Sequence, residues 1–461
     1  AVFDSSQGPA MFYITSIANP RVLLQASYIC TLLSSTSALT LAETWTSRVS
    51  SCGWPGSPMP PKLSLERKAA RPASVVQHVR DVCSGLNKMG RKQWCTMYKH
   101  AYTNTLDFTA EFDSQAAETF VATGDIPDMW LRDSEAQVNH YLNMINTSSA
   151  GSQPLLPLLA GLFKKHMHFF INHPYANAFR RNGDIAEEKY EIDSVCYTFK
   201  LGYRLWKQSG DASVLGGEQF PKLVRAVLEQ WHLEQDHDEK STYQHDDLQR
   251  RGMGSRTKPN IGLIWTAFRP SDDACKYHYN IPGNMFASVS LGMVLEILNS
   301  VYHEPSLAQE VKDMKDGIDR GIHKYGRKSS EQGVGNIYAY EVDGYGAQAF
   351  MDDANLPSLL SIPYMQYSSP HHDTGAMYAS TRAFVLSGAN PYYFVGLHAS
   401  GVGSAHTTSG CIWHLGLITE GLTANSQEER LRLLDMVHKT TAGTGHLHES
   451  FDKDDPSTYT R

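Results

Sequence analysis

No CxxC pair occurs among the seven cysteines at positions 30, 52, 83, 95, 196, 275 and 411, so a zinc-ribbon or thioredoxin-type site has no support. Their odd number excludes complete pairing within the chain, and a Cys83–Cys95 bond in an oxidising compartment stays open. Basic charge is also short. Lys and Arg total 41 against 48 Asp and Glu, a net charge of −7, which argues against a basic face for nucleic acid. Regular strand–helix alternation is missing, which disfavours a Rossmann domain or a β/α barrel. Runs able to cross a bilayer are missing too; the nearest, Val22–Ala42, holds too many Ser and Thr for a membrane span.

The chain does carry 41% apolar residues, enough for a sizeable core, and 10% aromatics, with 23 Tyr and 8 Trp. Such rings serve as core and rim packing or as surfaces that stack on sugar faces. The N-terminal region divides from the rest. If Met11 begins the protein, residues 11–42 resemble a secretory signal peptide ending in Ala38-Leu39-Thr40-Leu41-Ala42; an incorrectly translated gene start gives the same pattern. Residues 43–62 are rich in Ser, Pro and Gly and read as a linker. A leader and linker over 1–62 and one domain over 63–461 are therefore expected, with one N-glycosylation sequon at Asn146-Thr147-Ser148.

Helical periodicity predicts elements near 74–90, 134–146, 153–172, 192–208, 218–234, 284–301, 306–325, 354–365, 374–387, 410–421 and 427–439. The segment around Met285-Phe286, Val289, Leu291, Met293-Val294 and Ile297-Leu298 suits an almost wholly buried helix. Gly210 and Gly326 stand where helix stops belong. Strand character is confined to Thr105–Phe112, Glu118–Ala122 and Asn336–Val342. The expected fold is mainly α, a toroid of paired helices with short β excursions. Six pairs need twelve helices; eleven are read, so the last is expected to be missing.

Acidic and aromatic clusters stand at the helix entrances. Thr123-Gly124-Asp125-Ile126-Pro127-Asp128-Met129-Trp130-Leu131-Arg132-Asp133-Ser134 precedes one helix, and Trp265 to Cys275, with Arg269, Ser271, Asp272 and Asp273, precedes another. Tyr340-Glu341-Val342-Asp343 leads to Met351-Asp352-Asp353-Ala354-Asn355, and His446-Leu447-His448-Glu449-Ser450 lies near the end. Each cluster alone reads equally well as a helix cap. Four of them at equivalent entrances converge, in a toroid, on one end of the central cavity.

These cassettes, together with Lys189-Tyr190-Glu191-Ile192-Asp193-Ser194-Val195-Cys196, resemble glycoside hydrolase family 125 from about residue 75 onward. The resemblance implies an (α/α)6 toroid and an exo-acting α-1,6-mannosidase that inverts configuration and uses no metal or other cofactor. Its partner would be a mannose-containing oligosaccharide. Inversion needs one carboxyl to protonate the leaving oxygen and another, on the opposite face, to activate water. The resemblance places the acid in Ser271-Asp272-Asp273, with Asp272 preferred and Asp273 its rival, and makes Glu449 the base. Arg132 and Asp133 would grip vicinal hydroxyls beside the Trp130 wall, joined by Asp125, Arg269, Asp273, Asp352, Asp353, Asn355 and His448.

Two other readings compete. His446-x-His448-Glu449 and His371-His372-Asp373 contain metal-ligand types, which would suit a metal-dependent glycosidase, yet neither has the i, i+4 spacing of a helical zinc motif. A non-catalytic glycan-binding protein on the same scaffold is the other alternative. Carboxylates at both catalytic positions count against it.

Overall fold

The computed structural model describes residues 52, 71–124, 126–145, 154–328 and 336–460. Asp125, the sequon, and the leader and linker other than Cys52 lie outside the described residues. The protein is mainly helical: α1 Ala73–Lys88, α2 Lys92–Asn104, α3 Leu131–Val138, α4 Leu155–Asn172, α5 Ile192–Ser209, α6 Gln219–Glu234, α7 Ile281–Ile297, α8 Pro305–Tyr325, α9 Thr374–Val385, α10 His414–Leu422 and α11 Gln427–Lys439.

The helices pack along two tracks. One runs α3–α5–α7 and on to a short turn at Ile362–Met365; the other runs α4–α6–α8, with α4 against α5 and α7 against α8. Near the end of the chain α10 packs on α11, and α11 returns against α2. An ion pair from Arg91 to Asp435 at 3.3 Å and the stacked rings of His100 and His446 reinforce that return. Helix α7 is apolar on every side because neighbours cover it. With the turn that follows, Ile281–Tyr302 is long and apolar enough to cross a membrane, but 72% of its most apolar window is buried inside the fold.

Local chemistry sets the helix ends. Asn280 caps α7 by accepting from the Gly283 N–H at 2.7 Å, and Pro282 occupies the first turn. Asp373 and Ser426 cap α9 and α11 in the same way. Gly210 stops α5 in the left-handed conformation at φ 67°. Gly326 follows α8 at φ −82°, so space and not handedness selects it: a Cβ there would stand 2.9 Å from the Ile322 carbonyl oxygen.

Three expectations need correction. Only Ile362–Met365 of the predicted 354–365 helix is helical. Asp352 accepts the Leu359 and Leu360 N–H groups at 2.8 Å each, and Ser358 and Ser361 bond to each other, so side chains fold this stretch into a buried loop. Thr105–Phe112 begins as a π-helical turn, Thr105–Thr109, before the strand Ala110–Asp113. The Thr105 and Thr109 hydroxyls donate to the Gln137 backbone and side chain at 3.1 and 2.9 Å, which offsets the β preference of the threonines. Asn336–Val342 splits into Ile337–Tyr338, paired with Arg327–Lys328, and Glu341–Val342, paired with Tyr279–Asn280. Helix α2 was not anticipated.

Among the described residues the sheets have two or three strands each, and several serve as entrances to helices. Met129–Trp130 pairs with Ala178–Phe179 before α3, Tyr279–Asn280 with Glu341–Val342 before α7, and Cys411–Trp413 with Ser450–Asp452 before α10. Disulfides join Cys83 to Cys95 and Cys52 to Cys411, while Cys196 and Cys275 are buried and take part in no disulfide. The second disulfide fastens a residue of the sequence-defined linker to the last of these strand pairs.

Helix α5 passes close to α4 at Gly202, where a Cβ would stand 2.5 Å from the buried Phe163 ring. Gly202→Ala is expected to lower unfolding free energy by about 1–3 kcal/mol through overpacking, measured by urea denaturation.

Candidate active site

The chemistry-bearing side chains gather at the N-terminal ends of the helices on the α3–α5–α7 track. Arg132 and Asp133 lie in the first turn of α3, Glu191 is the residue before α5, and Asp193 is in the first turn of α5. Helix N-termini carry partial positive charge from unpaired N–H groups, which favours carboxylates there.

Arg132 is the hub. Its guanidinium reaches Glu191 at 2.7 Å, Asp193 at 3.2 Å, Asp272 at 3.6 Å and Asp133 at 3.7 Å. The arginine and three of these acids are buried; the Asp272 side chain keeps 28% of its exposure. Burial drives Glu191 well above the usual carboxyl range against the pull of Arg132, with Asp272 and Asp193 adding repulsion. It drives Asp193 upward too, and takes Asp133 to about 6, again against Arg132 and with Asp272 adding to the rise. Asp133 Oδ2, Glu191 Oε1 and Asp272 Oδ1 are buried with no hydrogen-bond partner. They face one guanidinium and form a set of unmet acceptors that hydroxyl donors would satisfy.

Asp272 and Asp273 are adjacent yet serve different partners. Asp272 adopts the left-handed conformation at φ 64°, uncommon for a residue with a Cβ, in a turn closed by its N–H donating to the Arg269 carbonyl at 3.0 Å. Its carboxylate faces Arg132. Asp273 turns to Ser271, whose hydroxyl donates to it at 2.8 Å, and to His406 at 3.7 Å. Burial would raise Asp273, but His406, Ser271 and Arg269 together hold it below the ordinary carboxyl range. Asp273 therefore keeps its charge.

Other expected ligands serve the scaffold instead. Arg269 donates to Glu341 at 2.6 Å, and Glu341 also accepts from the Lys276 and Tyr277 N–H groups; this arginine holds an acidic neighbour. Asp352 is fully buried, commits both oxygens to backbone N–H groups, and is raised to about 8 by burial. Asp353 accepts from the Asn355 N–H and side-chain amide and from Ser404 at 3.0 Å, so Asp353 and Asn355 brace one another. His448 is buried, stacks on Tyr459 at 3.6 Å and is lowered to about 3 by burial. It supports the loop from behind. Trp130 is half-buried, and its Nε1–H donates to Glu187 at 3.2 Å, which fixes the indole plane.

Glu449 is half-buried and directly precedes the strand Ser450–Asp452. The residue that links it electrostatically to the acid loop is His406, which the sequence reading did not single out. Its only signal there was a titratable side chain inside the small-residue loop Gly403–Gly410, just before another helix entrance. Burial would lower His406, but its bond to Asp273 and the charges of Glu449, Asp273 and Asp272 take it to about 9. Glu191, Asp193 and Glu341 stood inside quoted motifs without roles of their own. Of the histidines weighed as metal ligands, His446 stacks on His100, and His372 bonds the Tyr338 hydroxyl at 2.6 Å.

Comparison with known proteins shows what this chain is similar to. Residues 91–461 match the family described as metal-independent α-mannosidase (GH125). The chain is 34% identical over 430 residues to the meiotically up-regulated gene 157 protein of Schizosaccharomyces pombe, covering 84% of this chain and 82% of that protein. A solved Streptococcus pneumoniae structure, described as a metal-independent α-mannosidase in a non-productive complex with α-1,6-mannobiose, superposes with a TM-score of 0.77. It is 38% identical, with 84% of this chain and 94% of that one covered.

Removing the hub leaves several acids facing one another in a buried space. Arg132→Met is expected to cost about 3–5 kcal/mol of stability at neutral pH. Because burial raises Glu191, Asp193 and Asp133, these acids gain protons as pH falls from 7 toward 4 and no longer need the cation. The deficit therefore shrinks on acidification, which denaturation series at several pH values will measure.

Proposed function

The chain belongs to the metal-independent α-mannosidases of glycoside hydrolase family 125, and from that premise we propose that it removes terminal α-1,6-linked mannose, exo-acting and with inversion, on an (α/α)6 toroid. The observation that carries this reading is the set of buried carboxylate oxygens around Arg132 that no hydrogen-bond donor reaches. A mannose ring presents hydroxyl donors for such acceptors, and Trp130 beside them offers a fixed apolar edge. The α-1,6-mannobiose held by the similar Streptococcus pneumoniae protein supports the choice of linkage. The two-track packing of helices and the return of α11 to α2 support the toroid.

In this reading Asp272 is the general acid. Asp273, its rival, is kept ionised by His406, Ser271 and Arg269 and has no proton to give. Asp272 turns instead to Arg132 and keeps 28% of its side-chain exposure, so it stays within reach of a bound sugar. Asp272 passes its proton to the glycosidic oxygen as the bond to the anomeric carbon breaks. Glu449, just before the strand Ser450–Asp452, takes a proton from water as that water attacks the opposite face. The carboxyls of inverting enzymes stand roughly 6.5–9.5 Å apart to admit the water. Neither step uses a metal or cofactor. Two disulfides support passage through the secretory pathway, where such bonds persist.

The test is a screen of α-1,2-, α-1,3- and α-1,6-mannobiose with NMR detection of the first-formed anomer. β-Mannose from the α-1,6 substrate alone is expected, with turnover unchanged after exhaustive dialysis against EDTA. α-Mannose as first product would refute inversion, and binding without turnover would leave a glycan-binding protein. Asp272→Asn and Glu449→Gln should each lower kcat by about 10²–10⁴-fold. Near-normal turnover in either variant removes that residue from its role.

A further inference from the structure

We propose that His406 is a positioning residue that couples the acid loop to the base, holding Asp273 on one side and Glu449 on the other. The proposal rests on the roles given above to Asp272 and Glu449, and its first argument is geometric. The loop Gly403–Gly410 lies between the two catalytic segments and is fastened to its surroundings at several points. Ser404 donates to Asp353 at 3.0 Å, the Gly403 carbonyl accepts from the Ala354 N–H at 3.1 Å, and Trp413 donates its indole N–H to Thr407 at 2.8 Å. His406 itself donates its backbone N–H to the Ser404 hydroxyl at 3.1 Å.

From this anchored loop the imidazole reaches Asp273 with Nδ1 to Oδ1 at 3.7 Å. Its edge packs on the Trp413 ring at 6.2 Å between centroids. Trp413 pairs with Ser450, the residue after Glu449. One side chain thus reaches the acid loop and packs on the strand pair that Glu449 directly precedes.

The electrostatics follow from that position. The charged groups facing the ring are Asp272 and Asp273 from the loop before α7 and Glu449 from the segment before Ser450–Asp452, with Arg269 behind Asp273. Three carboxyls around one imidazole favour its cation, and the cation stays up to a pH of about 9. While charged, His406 offsets repulsion between Glu449 and the ionised Asp273. As pH rises through that value the cation is lost, the acids repel, and the base loses its fixed place relative to Asp272. Small displacements of catalytic groups cost rate more than affinity.

Two measurements test this. The His406 imidazole is titrated by NMR in the wild-type protein, in Asp273→Asn and in Glu449→Gln, with His406→Gln supplying the assignment. The midpoint near 9 is expected to fall in both carboxyl variants; a midpoint unmoved by Glu449→Gln overturns the coupling. This readout does not depend on turnover, so it decides the proposal even if the protein releases no mannose and the functional reading fails. In kinetics, His406→Gln is expected to keep its KM for α-1,6-mannobiose and to lose about 10²-fold in kcat. Wild-type kcat in this variant overturns the proposal. His406→Asn provides the same comparison if the Gln variant does not fold.

Discussion

A single buried guanidinium organises the functional end of this protein. Arg132 faces Glu191, Asp193, Asp133 and Asp272, acids that could not share so small a space without a cation among them. A planar group with five N–H donors can serve several carboxylates at once, which an ammonium cannot do with the same geometry. Arg132 alone lies within ion-pair distance of all four acids, and burial drives Glu191, Asp193 and Asp133 toward holding protons. A site kept in that condition has both a store of protons and a group of vacant acceptors. Those are the two properties that binding and cleaving a sugar require.

The Asp272–Asp273 pair shows how backbone conformation separates neighbours that sequence cannot tell apart. The left-handed residue at Asp272 sends successive carboxylates to different partners, Arg132 for one and His406 with Ser271 for the other. The environment of Asp273 then keeps it ionised. This division of labour comes from a turn and two cations, with no difference in side-chain chemistry.

Much of the fold was legible because long amphipathic segments signal strongly. Helix α11 runs over the predicted interval 427–439, and α4 and α5 lie within a residue or two of theirs. Failures fell where side chains override periodicity: the Asp352-centred loop that looked like a helix, and the threonine-rich π turn that looked like a strand. Helix entrances were correctly read as the place where acids gather. What each acid does there was not legible, since Asp352, Asp353 and Asn355 are sequence-typical sugar ligands that the structure directs to scaffold contacts. His406 was invisible because its importance comes from two loops brought together by long-range pairing, and a lone histidine carries no spacing signal.

The depth of the Arg132 and Arg269 ion pairs sets how the protein meets its surroundings. Dissolved salt screens charges over about 8–10 Å of solvent at moderate ionic strength, yet Arg132 with Glu191 and Arg269 with Glu341 sit where mobile ions do not enter. Exposed pairs such as Lys207–Glu296 and Lys312–Asp316 are open to that screening and contribute little in any case. The organisation of the site is thereby insulated from ionic strength, so a change of medium that rearranges the surface charges leaves the geometry of the reacting groups as it was.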